Sequence, residues 1–342
     1  MTLVGFESFD TANAGTSPPG WVFSGLTYRT TSPAPLFGVG RYIGRGSTGG
    51  TAYWSPKGLA ALGGSSEVVF GGWFYCSTVG SIGTPLVAFQ EDGTGGTVHA
   101  MVSNSAGNLI SAYRGTTLLG SSTATMSLSA WHYVEVKIKI HDTDGYVIVR
   151  VDTVEVLNLQ NQDTRVGGTG LIDTFRVCGS ATIYIDDCWA ATVDATAPND
   201  FLGFRRISTL TAQSAGNSAQ FTPLSSTNVS NVDETVDSDG DTSYNASLTI
   251  DQLDSFVATD LPFAAANITA VKIVNVARKT DAGPSAIKSV LRTGGVDYLG
   301  SELQVTPSYD TFEELMLTNP DTGVAFTDTV VNGMEIGYKK TA

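Results

Sequence analysis

The sequence has little charge for its 342 residues. Asp, Glu, Lys and Arg make up 15% of the chain, against roughly 25% in an average soluble protein. Basic residues are the scarcest of these, with 19 Lys plus Arg against 33 Asp plus Glu and a net charge of −14. Binding to nucleic acid through phosphates depends on Lys and Arg, so we expect no DNA or RNA partner.

Long apolar runs are also missing. No stretch reaches the roughly 18–20 consecutive apolar residues that cross a bilayer, so we expect no membrane insertion. Residues 1–7 lack the basic and apolar segments of a signal peptide, which predicts synthesis in the cytoplasm.

The residues that usually carry metal or redox chemistry are few and scattered. Cys76, Cys178 and Cys188 are too few for a disulfide scaffold and form no C-x-x-C pair, so we expect reduced, buried thiols. The three histidines have no metal-binding or general-base spacing, and we expect them to be satisfied or exposed. They are His99, His132 and His141.

What the sequence does have is alternation of apolar and polar residues with period two. Residues 134–140 place branched side chains on one face and charges on the other, as a half-buried antiparallel strand requires. A turn cluster at 141–145 leads into 146–151, and Asp152–Thr153 is a tight turn into 154–157. This predicts a three-stranded meander within a β-sandwich.

Strand patterning lapses around residues 192–199, where small residues and a proline predict a domain boundary. We therefore predict one domain over residues 1–195 and another over 196–342. The second is the more acidic, because 9 basic minus 18 acidic residues give −9, against 10 − 15 = −5 in the first. Within it, Thr327 is a predicted N-cap of one short helix that Gly333 ends.

The first half resembles a known fold. Residues 71–75, 131–136, 145–152 and 183–189 together resemble laminin G-like and concanavalin A-like domains, which are two-sheet jelly rolls. The Gly that usually follows the Asp of the central hairpin is Thr153 here. The predicted fold is therefore all-β, with a concanavalin A-like jelly roll followed by a smaller β-sandwich that holds one short helix.

The second half is similar to segments of virion structural proteins of tailed bacteriophages, at residues 201–206, 239–245 and 332–337. This resemblance implies a structural component of a phage particle, either a capsid decoration or head fibre protein or a tail protein. It implies other virion proteins as partners, location in the virion and a symmetric homo-oligomer such as a trimer. The alternative is a lectin-like adhesin that binds host surface glycans.

Enzymatic function is not predicted. The two carboxylates of a glycosidase lie about 5–9.5 Å apart and face one cleft, but the sequence has no E-x-D-x-x-E pattern. Asp186 and Asp187 are adjacent, so on a regular strand their side chains point to opposite faces. Carboxylates that cap backbone amides are the favoured interpretation, and a polysaccharide depolymerase is the enzymatic rival.

Two sets of residues are candidates for ligand binding. Aromatic rings in turn-rich surroundings can stack on sugars, whereas Trp73 and Trp131 lie in strand patterns and are predicted core residues. The predicted glycan-binding residues are Trp21, Tyr28, Tyr53 and Trp54.

The second set is acidic. Asp237, Asp239 and Asp241 alternate like the first ligands of an EF-hand, but Thr242 and Leu248 replace the required Gly and Glu. No cofactor is predicted, and the alternatives for this segment are a solvated loop and a calcium site of another kind.

Overall fold

The structure is a computed structural model that describes residues 2–10, 17–29, 33–38, 42–45, 50–80, 84–177, 182–193, 201–234, 239–265 and 267–342. The chain divides into two compact units, Met1–Ile207 and Ser208–Ala342. The division lies beyond the predicted boundary at residue 195, because residues 201–207 bond to the sheet of the first unit.

The first unit is built almost wholly of strands. A short helix, α1 (Lys57–Ala61), and the 3-10 turns Leu36–Gly38 and Ala106–Asn108 accompany them. The strands are β1 (Thr2–Glu7), β2 (Trp21–Ser24), β3 (Leu26–Arg29), β4 (Tyr42–Arg45), β5 (Thr51–Trp54), β6 (Glu67–Cys76), β7 (Val87–Glu91), β8 (Thr97–Ser105), β9 (Leu109–Arg114), β10 (Thr117–Thr125), β11 (Trp131–Lys139), β12 (Gly145–Val151), β13 (Val154–Gln162), β14 (Thr174–Val177) and β15 (Ile183–Thr192).

These strands form two antiparallel sheets. The larger has the order β13-β12-β11-β6-β15-β4-β3, with β1 paired to β15, and the smaller has the order β10-β9-β8-β7-β14-β5-β2. One buried cluster joins the inner faces, with Phe70, Phe74 and Val136 from the larger sheet and Phe89 and Phe175 from the smaller. The first unit is thus a β-sandwich, as the alternation predicted.

The predicted meander is confirmed as β11, β12 and β13. Val151 pairs with Val154, so Asp152 and Thr153 alone make the turn, and both have positive φ, at 51° and 72°. A two-residue hairpin with positive φ at both positions is a type I′ turn, which usually takes Asn or Asp followed by Gly. Thr153 therefore pays a steric cost that Gly would avoid.

The second unit combines a five-stranded sheet with smaller ones. Its strands are β16 (Ala212–Ala219), β17 (Thr222–Pro223), β18 (Asn245–Ala246), β19 (Leu253–Ala258), β20 (Val271–Ala277), β21 (Ala286–Thr293), β22 (Val296–Gln304), β23 (Asp310–Met316) and β24 (Glu335–Lys340). The large sheet has the order β16-β19-β24-β21-β22, while β17 pairs with β18 and β20 with β23. Val229–Asn231 is a 3-10 turn.

The core of the second unit lies between the large sheet, the β20–β23 pair and a helix. Ile273, Leu291, Phe326, Val331 and Met334 form its buried cluster. The helix, α2 (Asp328–Asn332), is the predicted one: Thr327 Oγ1 accepts a hydrogen bond from the Val330 amide at 3.3 Å, and Gly333 is the C-cap. The predicted all-β class with two sandwich domains is confirmed.

The cysteines and the helices can also be compared with the predictions. Cys76 and Cys188 are buried free thiols, as predicted, while Cys178 lies outside the described residues. Burial raises the pKa of Cys76 to about 12, against a lowering effect of the Asn104 side chain. Among the described residues, no helix is long and apolar enough to cross a membrane.

The hairpin turn gives a stability prediction. Replacing Thr153 by Gly is expected to raise the free energy of unfolding by about 1 kcal/mol, because it relieves a β-branched residue of positive φ. Thr117→Gly, at the exposed start of β10, is the control and should lower it by about 0.5–1 kcal/mol. Urea denaturation of the full chain measures both, and a loss of stability in both variants contradicts the turn assignment.

Candidate carbohydrate-binding face

Aromatic side chains cover the outer face of the larger sheet. Along β6, Phe70, Phe74 and Cys76 point into the core, so the alternate residues Trp73 and Tyr75 point outward. The same alternation on β11 and β15 turns further rings to this side. We call this surface the outer aromatic face, and its rings are Tyr42, Trp73, Tyr75, Trp131, Tyr133, Tyr184 and Trp189.

Three of these rings form a row across neighbouring strands. Tyr75 is the direct cross-strand partner of both Trp131 and Tyr184. Its ring centroid lies 5.7 Å from that of Trp131 and 5.8 Å from that of Tyr184, both edge to face. All three side chains are half-buried. The aromatic row, Trp131, Tyr75 and Tyr184, is therefore a rigid surface that remains in contact with solvent.

Glycines make room for the outer rings. A Cβ on Gly44 would lie 2.0 Å from the Tyr184 ring, and one on Gly71 would lie 2.3 Å from the Trp189 indole. Real Cβ atoms do not approach this closely, so any larger residue would push the rings off the sheet. The positions of the Tyr184 and Trp189 rings thus require glycine on the strands next to β15.

The segment of residues 33–38 covers one end of the outer aromatic face. The Tyr42 hydroxyl donates a hydrogen bond to the Pro33 carbonyl at 2.6 Å. The Trp131 indole N–H donates to the Ala34 carbonyl at 3.0 Å. These bonds join the two side chains to the segment of residues 33–38, and the Trp131 bond fixes how that ring lies in the aromatic row.

Residues 201–207 cross the other part of the face, and we call them the strap. The Phe204 ring lies flat on Trp73, with centroids 5.5 Å apart and planes 13° from parallel. The Trp73 indole N–H donates to the Arg205 carbonyl at 3.0 Å. The amides of Leu202 and Gly203 both donate to Glu135 Oε1, at 2.8 and 2.9 Å.

The carboxylates that hold the strap are buried. Burial raises the pKa of Glu135, although the amides of Gly203 and Leu202 lower it. Burial also raises the pKa of Asp187 to about 8, against the lowering effect of the hydrogen bond from the Ile207 amide. Asp186 has a pKa well above the usual range, because burial and the neighbouring Asp187 disfavour its charge.

Asp186 and Asp187 do not sit on a regular strand. The pairing of β15 with β6 shifts between Asp186 and Trp189, and Asp187 has a φ of 45°. Both carboxylates are consequently buried, rather than one facing each side of a regular strand. Asp187 accepts the Ile207 amide at 3.1 Å, which is the amide-capping role expected of these residues.

Each histidine with a described partner is satisfied, as expected. His99 Nδ1 accepts the Val166 amide at 3.2 Å, so its Nε2–H donates to Glu91 Oε2 at 2.9 Å. Burial raises the pKa of Glu91, but hydrogen bonds from Thr169, Gly170 and His99 outweigh it and bring the pKa to about 2. This pair closes the loop between β13 and β14.

A line of hydrogen bonds joins Ser127, His132 and Asp152. Ser127 Oγ lies 2.7 Å from His132 Nε2, and His132 Nδ1 lies 2.7 Å from Asp152 Oδ2. Asp152 Oδ1 accepts the Tyr133 amide at 2.9 Å, and Asp152 lies in the β12–β13 turn. The line therefore anchors that turn to β11.

The predicted glycan-binding residues do not form one surface. Trp21 and Trp54 are 5% and 3% exposed and stack on each other in the core, with centroids 5.2 Å apart. Tyr53 is half-buried on the smaller sheet, and the side chain of Tyr28 lies outside the described residues. Trp73 and Trp131, predicted as core, face outward instead. Exposed rings that can stack on a sugar are instead those of the aromatic row on the larger sheet.

The predicted acidic candidates lie in the second unit. Asp237 is outside the described residues, and Asp239 accepts a hydrogen bond from the Ser243 hydroxyl at 2.9 Å. Asp241 bonds to Arg278 and to the Tyr309 hydroxyl, at 2.8 and 2.7 Å. Within the described part of the chain, no group of three or more His, Cys, Asp and Glu side chains is arranged to hold a metal ion.

Comparison with known proteins gives distant structural similarities alone. No family model matches the chain, and no curated protein matches it. A carbohydrate-binding module, CBM66, from Bacillus subtilis is 11% identical with a TM-score of 0.32, over 51% of this chain and 96% of that one. Domain 4 of an extracellular arabinanase from Geobacillus stearothermophilus, in complex with arabinotriose, is 12% identical with a TM-score of 0.37, over 56% and 92%.

A third solved structure is Trypanosoma rangeli sialidase in complex with sialic acid, which is 16% identical with a TM-score of 0.38. The match covers 56% of this chain but 31% of the sialidase. The similar structures thus include a carbohydrate-binding module and domains of glycan-active enzymes. All these similarities are weak, so a function for this chain has to follow from its own outer aromatic face.

The buried carboxylates give a pH prediction. The pKa of Asp187 is higher in the folded chain than the value near 4 of an unfolded Asp, so the folded chain holds an extra proton between about pH 4 and pH 8. Its contribution to the free energy of unfolding is therefore present at low pH and is lost as the pH rises across that interval.

We expect Asp187→Asn to remove this slope while keeping an acceptor for the Ile207 amide. Thermal unfolding from pH 4 to pH 9 should show the variant gaining stability relative to the wild type as the pH rises, and levelling above about pH 8. Glu155→Gln, an exposed carboxylate on β13, is the control. A constant difference between Asp187→Asn and the wild type would contradict a raised pKa.

Proposed function

We propose that the protein is a structural component of a bacteriophage particle whose first unit binds carbohydrate through the outer aromatic face. The observation that carries the binding part is the aromatic row of Trp131, Tyr75 and Tyr184. These rings sit on three adjacent hydrogen-bonded strands, so their spacing is fixed before a ligand arrives and little conformational entropy is lost on binding.

The chemistry of the row suits a sugar. A pyranose presents a face of C–H groups that packs on an aromatic ring, while its hydroxyls stay at the rim with water or polar groups. Tyrosine and tryptophan have the same combination of apolar face and polar edge. Three half-exposed rings in a row match a short stretch of a polysaccharide better than a single compact ligand.

The net charge of the chain narrows the class of glycan. A net charge of −14 repels polyanionic polysaccharides at long range. We therefore propose neutral pyranosides as the preferred ligands, rather than uronic or sulfated chains.

The assembly part of the proposal is supported by the sequence resemblance to phage virion proteins and by apolar side chains exposed on the second unit. Leu248 is 94% exposed, Ile250 57% and Leu224 47%. The Leu224 amide donates to the Tyr244 carbonyl at 2.9 Å at one end of the β17–β18 pair, and Leu248 and Ile250 follow its other end, where Ala246 pairs with Thr222. Large exposed apolar side chains such as these are available for association with another protein surface.

The glycan proposal predicts that Trp131→Ala weakens binding to neutral polysaccharides on a glycan array about fivefold, since a ring stacked on a sugar contributes about 1 kcal/mol. Tyr53→Ala is the matched control, because Tyr53 belonged to the sequence-predicted set but lies on the other sheet. Binding that depends on Tyr53 and not on Trp131 contradicts the placement of the site.

The assembly proposal predicts an oligomer in size-exclusion chromatography with light scattering, and the chain itself in purified phage particles. Leu248→Ser combined with Ile250→Ser should lower the measured mass towards the monomer, because it removes apolar area from the contact. Val324→Ser, 61% exposed on the same unit, should leave the mass unchanged. A monomer at high concentration that is also absent from particles rules this function out.

A further inference from the structure

The surface beneath the strap contains buried polar atoms without partners. Glu135 is fully buried, and although its Oε1 accepts two strap amides, its Oε2 has no hydrogen-bond partner among the described residues. The Nε atom of Arg150, whose charge acts on Glu135, has none there either. Native structures partner nearly all buried polar groups, so a carboxylate oxygen and a guanidinium nitrogen left without partners beneath the strap point to a ligand that is not part of the chain.

The contacts of the strap have the form of contacts to a sugar. Phe204 lies flat on Trp73, which is how a pyranose ring packs on an indole, and half of the Phe204 side chain is exposed. The amides of Leu202 and Gly203 converge on one carboxylate oxygen, as two neighbouring hydroxyls of a sugar do. The Trp73 indole N–H donates to the Arg205 carbonyl of the strap, and a sugar oxygen is an equivalent acceptor for it.

We propose that the strap occupies a second carbohydrate-binding position as an internal substitute for the ligand, and that a neutral pyranoside with two neighbouring hydroxyls displaces it. Trp73 provides the stacking surface and Glu135 accepts the hydroxyls. This inference rests on the proposed function of the outer aromatic face, which it extends from the aromatic row to the covered part.

The position of the strap in the chain gives the displacement a consequence. The strap ends at Ile207, and the second unit begins at Ser208. Ligand binding at Trp73 therefore competes with the attachment of the segment that leads into the second unit, so each weakens the other.

The test is a titration of the full chain with the methyl glycosides of glucose, galactose and mannose, followed by tryptophan fluorescence and calorimetry. Phe204→Ala removes the ring that competes with the sugar and should tighten binding about tenfold, because a larger fraction of the protein is then open to ligand. Phe204→Tyr keeps a stacked ring and is the matched control, with affinity close to that of the wild type.

A second readout follows the strap itself. Amide hydrogen exchange at Leu202 and Gly203 should be slow in the free wild type and should accelerate when the glycoside is added. The gain in Phe204→Ala should disappear when Trp73→Ala is added to it. Unchanged affinity in Phe204→Ala, or a gain that survives Trp73→Ala, overturns the proposal.

The outcomes separate this proposal from the first. Wild-type binding that needs Trp131, with no gain in Phe204→Ala, overturns only the covered position. A gain in Phe204→Ala that is insensitive to Trp131→Ala supports the covered position even where the aromatic row does not bind. No binding of the methyl glycosides by either protein overturns the covered position, and absence of polysaccharide binding on the glycan array overturns the aromatic row.

Discussion

The period of two in a β-strand is the constraint on which the first unit depends. One face of β6, β11 and β15 fills the core with Phe70, Phe74, Val136 and their neighbours, so the alternate residues have to face outward. In this chain many of those outward positions carry aromatic rings. An outward face with seven aromatic rings is a large apolar area for a monomer to leave open, and it needs either a cover or a ligand. The segment at residues 33–38 and the strap cover part of it, and the aromatic row remains open.

The covered part binds the strap through carboxylates that the sheet has buried. Glu135 is positioned by β11 and Asp187 by the irregular pairing in β15, and both accept backbone amides of the strap. Burying them has a cost, which is why the pKa values of both are raised. The strap is thus bound by two carboxylates whose negative charge is disfavoured by burial. Under our proposal a sugar ring takes the place of Phe204 on Trp73, so the contact between the strap and the sheet is one that a ligand exchanges.

Local pattern predicted much of this fold. The alternation in residues 134–140, the tight turn at Asp152–Thr153 and the caps at Thr327 and Gly333 depend on neighbours in sequence, and each is confirmed. The division after Ile207 lies later in the chain than the predicted boundary at residue 195, since the attachment of residues 201–207 depends on Trp73, 132 positions from Arg205 in the chain. No local pattern reports a contact at that separation.

The assignment of rings to core and surface failed for a related reason. Residues 68–76 are apolar on both faces of the strand, so their sequence does not say which face meets the core. Trp21 and Trp54 stand next to turns, but β2 pairs with β5 and brings the two rings together inside the sandwich. The contacts of Gly44 with Tyr184 and of Gly71 with Trp189 likewise join residues far apart in the chain, so local sequence does not predict them.

The central claim is that the functional surface of the first unit is the outer aromatic face and not the residues near β2 and β5. The most direct measurement is the NMR spectrum of the indole N–H groups during addition of a neutral polysaccharide. The account predicts that the Trp131 resonance, and with it that of Trp73, moves with ligand while those of Trp21 and Trp54 stay in place. Movement of Trp21 and Trp54 with Trp73 and Trp131 unchanged would contradict it.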